Sequence, residues 1–98
     1  MKFIDIIPLL EEGKMVGRTS WPEGTFIFKQ VHSVIESAII PKMQSLPDEV
    51  RDEFKNREAV NIFYANQIAI VNKDNLIQGW SALPHDIMAV DWELRKRS

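Results

Sequence analysis

Cysteine is absent from this chain of 98 residues, which excludes disulfides and thiolate metal sites and fits a reducing cytosol. Histidine is scarce. His32 and His85 are the only two, and neither stands at metal-ligand spacing to the other, so no metal site is expected. No charge of either sign dominates: the formal net charge is -2, and no global positive field exists to hold a DNA or RNA duplex. Long apolar runs are missing as well. Residues 1–10 are followed by Glu11-Glu12-Gly13, far short of the roughly 20 apolar residues that cross a bilayer. No small-residue cleavage site follows, so neither a signal peptide nor a membrane partner is expected. Neither G-x-S-x-G nor a P-loop occurs, and no motif sets a nucleophile beside a base. The expectation is a protein that is not an enzyme, has no catalytic residues and uses no cofactor.

What the sequence does have is tryptophan in an unusual setting. All three tryptophans sit in two short segments rich in polar and turn-forming residues: Arg18-Thr19-Ser20-Trp21-Pro22-Glu23-Gly24, and residues 79–93 with Gly79-Trp80-Ser81 and Asp91-Trp92-Glu93. Indole offers a large rigid face and one donor, so it serves as a core anchor or as a stacking platform for a flat ligand. A core alone does not need turn chemistry beside every tryptophan. A ligand or partner surface is therefore the leading idea.

Hydrophobic and charged contents of 45% and 27% are those of an ordinary folded domain, and no internal repeat divides the chain, so residues 1–98 read as a single domain. Asp5 reads as the cap of a short helix with Ile6, Leu9 and Leu10 on one side, Pro8 in its first turn, and Gly13 as its stop. Residues 15–18 and 25–31 read as strands of a hairpin around the Trp21-Pro22-Glu23-Gly24 turn. Residues 34–40 suit a helix or a strand until Pro41 ends them. Ser45-Leu46-Pro47-Asp48 signals a capped helix to about Arg57, with Leu46, Val50 and Phe54 on one stripe. Asp52–Lys55 and Glu53–Arg57 are expected to pair on its solvated side. Residues 61–64, 67–72 and 76–80 read as strands, the last two joined at Lys73-Asp74-Asn75. Residues 91–94 close the sheet, and Arg95-Lys96-Arg97 reads as a frayed basic tail. The fold class is α+β: a small twisted antiparallel sheet with a short N-terminal helix and an inserted helical segment.

Each candidate site residue has a plain reading beside a sharper one. Arg18 and Trp21, three apart across a strand end, suit a phosphate fork beside a stacking face; equally, Arg18 makes an ion pair and Trp21 packs under the hairpin. Spacing alone does not choose. Phe26 and Phe28 are assigned to the core, with Phe26 able to extend an apolar wall. Trp80 suits either core packing or that wall, and Trp92 is core. Asp86 reads first as a cap for the amides of Met88 or Ala89, and second as a ligand hydrogen-bond acceptor with Ser81. His85 and Asp86, as sequence neighbours in a loop, are expected to point apart.

The residues resemble a family. Phe3-x-x-Ile6-x-x-Leu9-Leu10-x-x-Gly13-Lys14, Val16-x-Arg18-x-x-Trp21-x-x-Gly24 and Phe26-Ile27-Phe28, then Gly79-Trp80 and Asp86-Ile87-Met88-Ala89-x-Asp91-Trp92-Glu93, resemble the second type of phage Thoeris anti-defence protein. Residues 32–58 then read as an insertion variable within the family, and His85 stands where glutamine is usual. The resemblance implies a sponge that sequesters a cyclic ADP-ribose-type signal, of the glycocyclic ADP-ribose class, made by bacterial TIR enzymes, in the host cytoplasm. It also implies a homotetramer with ligand in recesses between protomers, and for some relatives a separate site for cyclic oligonucleotides. On this sequence the matching ligand-binding residues are Arg18, Trp21, Phe26, Trp80, Ser81 and Asp86. The competing readings are a protein-binding inhibitor or oligomerisation module acting directly on a host effector, and a sponge for cyclic oligonucleotide signals.

Overall fold

The computed structural model describes residues 1–58 and 61–96. It divides into two compact units, Met1–Gln30 with Asn66–Ser98, and Val31–Ala65. The first unit is built on a five-stranded antiparallel sheet in the order β6-β5-β2-β1-β7, formed by β1 (Val16–Arg18), β2 (Phe26–Gln30), β5 (Gln67–Val71), β6 (Ile77–Gly79) and β7 (Trp92–Leu94). Helices α1 (Phe3–Glu11) and α3 (Pro84–Met88) belong to the same unit. The architecture is α+β with an N-terminal helix and an antiparallel sheet, as the sequence predicts.

Strand alternation decides what the core is. Val16 pairs with Ile27, Ile27 with Ile70, and Arg18 with Trp92, so these residues share one face of the sheet. Val16, Ile27 and Trp92 on that face, with Ile6 of α1, are the largest fully buried side chains; Leu10 joins them. Burying each contributes roughly 1.5–3 kcal/mol of transfer free energy for an aliphatic side chain of this size. Phe26 and Phe28 differ from expectation. They lie on the other face, half-buried and against each other at 6.2 Å, because Ile27 takes the inward position of β2. Ile68 and Ile70 pack on the core while Ala69 is fully buried opposite Phe28, so β5 is covered on both faces as its apolar run suggests.

Helix α1 begins three residues earlier than a cap at Asp5 predicts, with Lys2 in the cap position and Phe3 first in the helix. Asp5 sits inside its first turn and accepts from the Lys2 amide at 3.0 Å, and Pro8 falls in mid-helix rather than in the first turn. The helix ends as expected. Gly13 has φ 81, its amide donates to Leu10 O, and Lys14 N donates to Leu9 O, the paired bonds of a glycine stop. At the β5–β6 tip Asn75 takes φ 67, and Asn72 Oδ1 accepts from Asp74 N and Leu76 N.

The second unit holds a two-stranded sheet of β3 (Ser33–Glu36) and β4 (Asn61–Tyr64), a 3-10 turn at Ile40–Lys42, and α2 (Asp48–Asn56). Residues 34–40 thus resolve as strand then turn. β4 leaves the main sheet and pairs with β3, Ile35 opposite Ile62 and Val34 opposite Phe63. Ser45 does not cap α2; Pro47 holds the cap position, and Asp48 and Glu49 supply the negative first turn. Leu46 and Phe54 are half-buried but Val50 is exposed, so the predicted stripe is only partly covered. Glu53 pairs with Arg57 at 3.2 Å, while Arg51 with Asp48 takes the place expected of Asp52 with Lys55. Among the described residues no helix is long and apolar enough to cross a membrane.

Candidate functional site

Trp92 organises the site. Its strand turns it inward, where it is 1% exposed, and its indole Nε1 donates to Asp86 O at 2.9 Å. The two other tryptophans close on it from opposite ends of the chain. Trp21 follows β1 in a turn closed by Trp21 N donating to Arg18 O at 2.9 Å, and Trp80 extends β6 by donating its amide to Ile68 O at 2.9 Å. Trp21 meets Trp92 edge-on at 5.3 Å, Trp80 meets Trp92 at 6.0 Å, and Trp21 meets Trp80 at 6.3 Å. Phe3 adds a further edge contact to Trp92 at 5.6 Å. Such pairs contribute about 0.5–1.5 kcal/mol each beyond the area they bury. The result is one fully buried indole supporting two half-buried ones.

A polar cluster borders the indoles. Pro84 opens α3, and Asp86 in its first turn accepts from the Leu83 amide at 3.0 Å through Oδ2. The cap is therefore made to Leu83, not to Met88 or Ala89. Asp86 Oδ1 accepts from Arg18 Nη1 at 3.3 Å, and the residue is 5% exposed. His85 Nε2 comes within 3.6 Å of the same oxygen, so these neighbours converge where the sequence suggested they diverge. Arg18 Nε donates to Asp91 Oδ1 at 2.9 Å, and Thr19 donates its hydroxyl to Asp91 Oδ2 and its amide to Asp91 O. The Arg18 hydrogen bond holds the Asp91 carboxyl below its ordinary value against the opposing effect of desolvation, and the same bond pushes Arg18 further up.

Four of the six sequence-predicted residues come together: Arg18, Trp21, Trp80 and Asp86 form one connected network around Trp92. Ser81 follows Trp80 on an exposed segment. Phe26 does not join, since it faces the opposite side of the sheet. Arg18 is not a free phosphate fork: two carboxylates hold it, which makes the ion-pair reading the observed one.

Sequence reasoning missed two participants. Arg95 is no frayed residue; its side chain is 18% exposed, and it donates to Glu93 Oε1, Arg18 O and Trp21 O. Arg97 lies outside the described residues. Gly17 is the second. A Cβ there would stand 2.5 Å from Arg95 Nε. A glycine inside a strand, here the middle residue of Val16-Gly17-Arg18, is itself a signal of close approach. A separate cavity of about 680 Å³ lies within the second unit, lined by Ile40, Arg51, Phe54 and Lys55 among others, and contains no predicted site residue. Among the described residues no group of three potential metal ligands occurs.

Fold and site together define a small α+β domain with an aromatic cluster edged by an internally paired ionic one. The chain belongs to the Thoeris anti-defense 2-like domain family, whose model matches residues 1–95. That membership supports a role in countering Thoeris defence. No curated protein matches the chain.

Proposed function

We propose that the chain is a non-enzymatic sponge: it binds and sequesters a cyclic ADP-ribose-type nucleotide made by bacterial TIR enzymes in the host cytoplasm, and so blocks Thoeris immunity. Convergence of Trp21 and Trp80 on Trp92 carries the reading. Two half-buried indoles on a rigid third offer flat faces to an adenine base without first ordering flexible side chains. Arg18, already held by Asp86 and Asp91, shapes that edge and presents its remaining N–H groups, while Ser81 supplies an exposed hydroxyl for a ribose. Phe26 enters the reading only as a wall contributed from the other sheet face. Incubation with a glycocyclic ADP-ribose followed by heating tests the proposal: a sponge releases intact ligand, an enzyme releases product, and a protein-only binder captures nothing.

The recess is completed by a second protomer in this reading, with a homotetramer as the assembly. Val34 and Phe63, a cross-strand pair 45% and 66% exposed, mark the second unit's open apolar face, with His32 stacked on Phe63 at 6.4 Å. The same face favours the alternative, a surface that docks a host effector directly; residues 32–58 then act as a family-variable insertion serving either purpose. Ile40 is buried and Ile35 half-buried within the unit, so the informative substitutions are Val34→Glu with Phe63→Glu. A smaller species in light scattering with lost ligand capture supports the shared recess, and an unchanged assembly rejects this face as the contact.

A further inference from the structure

The geometry points to Arg95 as the positioning residue of the aromatic platform, an inference that rests on the sponge reading. Arg95 continues the ladder past β7 by donating its amide to Met15 O at 2.9 Å. Alternation therefore sends its side chain to the sheet face opposite Trp92, across Gly17. There Nη2 donates to Arg18 O at 2.7 Å and to Trp21 O at 3.3 Å, while Nη1 is held by Glu93 at 3.0 Å. Arg18 O and Trp21 O are the two ends of the turn that carries the Trp21 ring. A single planar group thus fixes the turn from below while the ring packs on Trp92 above.

Two details separate this from incidental packing. Gly17 lies outside the positive-φ region, so its missing side chain provides space for the guanidinium and not backbone freedom. Arg95 Nε lies buried over Gly17 and makes no hydrogen bond to the described residues, so the two Nη groups alone fix the guanidinium on the turn. Nη2 serves both carbonyls while Nη1 holds Glu93, and a lysine ammonium, though it has donors for the carbonyls, lacks the planar fork that fixes them against Glu93.

The test combines Arg95→Met, Arg95→Lys and Gly17→Ala, read by far-UV and near-UV circular dichroism and by calorimetry with a glycocyclic ADP-ribose. With far-UV signal preserved, Arg95→Met should reduce the near-UV tryptophan band and weaken capture roughly tenfold or more, as loss of charge-assisted bonds to a binding segment does. Arg95→Lys should fall between. Gly17→Ala keeps the arginine, displaces its guanidinium and should reproduce Arg95→Met without adding to it in the double variant, which decides the matter even where Arg95→Met fails to fold. Wild-type near-UV signal and affinity in both Arg95→Met and Gly17→Ala overturn the assignment. Should the wild-type protein not capture the probe, the sponge reading fails, and the near-UV comparison alone still decides whether Arg95 positions Trp21.

Discussion

Trp92 and Trp21 belong to one cluster, yet truncating them should have different consequences. Trp92→Ala removes a fully buried ring, three aromatic contacts and the donor that satisfies Asp86 O, and should destabilise the protein by about 3–5 kcal/mol in a denaturant melt. Trp21→Ala removes a half-buried ring; its larger effect should be on ligand affinity, about ten- to hundred-fold by calorimetry, with the fold retained. Asp91 makes a prediction about pH. Its carboxyl is held down in the folded state, so the stability it contributes is present above the ordinary aspartate range and lost as pH falls through the lower folded value. Asp91→Asn should flatten that acid limb of a urea-midpoint profile and leave the neutral-to-alkaline limb unchanged in slope; an unaltered acid limb would show that Arg18 does not favour the ionised form. Residue types at the site were legible because tryptophan beside turn residues is rare in a pure core. Their partners were not. The Arg18–Asp91 and Arg95–Trp21 contacts span most of the chain, and sequence spacing carries no signal for pairs set by the β1–β7 register.

At the scale of elements, local chemistry was readable where one residue dictates the backbone. Gly13 and Asn75 end α1 and turn the β5–β6 hairpin as their types require. Readings failed where two local signals competed. Asp5 has cap chemistry, but Phe3, packed on Trp92, draws the helix start back before it; Ser45 has the same chemistry, but Pro47 starts α2 later. Face assignment in β2 failed for a related reason: apolar residues occupy both faces, and only pairing with Val16 and Ile70 shows that Ile27 is inward. Pro8 gives this scale its prediction. In mid-α1 it lacks the N–H that Ile4 O would accept, and Ile4 is 72% exposed. Pro8→Ala restores the bond while giving back some unfolded-chain freedom, for a net gain of about 1–2 kcal/mol. Thermal melting should show a rise of several degrees, and a lower midpoint would mean that the ring's packing outweighs the helix gain.

For the molecule as a whole, the informative feature is where the second unit is attached. Gln30 ends β2 and Gln67 begins β5, and the two are cross-strand partners whose side chains bond at 2.8 Å. Residues 31–66 therefore occupy the position of a hairpin loop. Replacing them with Asn-Gly, which suits a two-residue turn between paired strands, should leave the remaining unit folded with its near-UV tryptophan band intact. An unfolded product would show that the sheet depends on the second unit for stability.

That attachment also bears on the order of events during folding. β2 lies at the centre of the sheet, and its pairing with β5 must close a loop that a simple hairpin would keep at two residues. The added length amounts to about four doublings, or roughly 2–3 kcal/mol of closure entropy for a flexible segment. A second unit that folds by itself first shortens the loop it interrupts and removes most of that barrier. Rapid-mixing kinetics should then resolve an early phase belonging to residues 31–65, ahead of the tryptophan signal that reports the closing of the sheet.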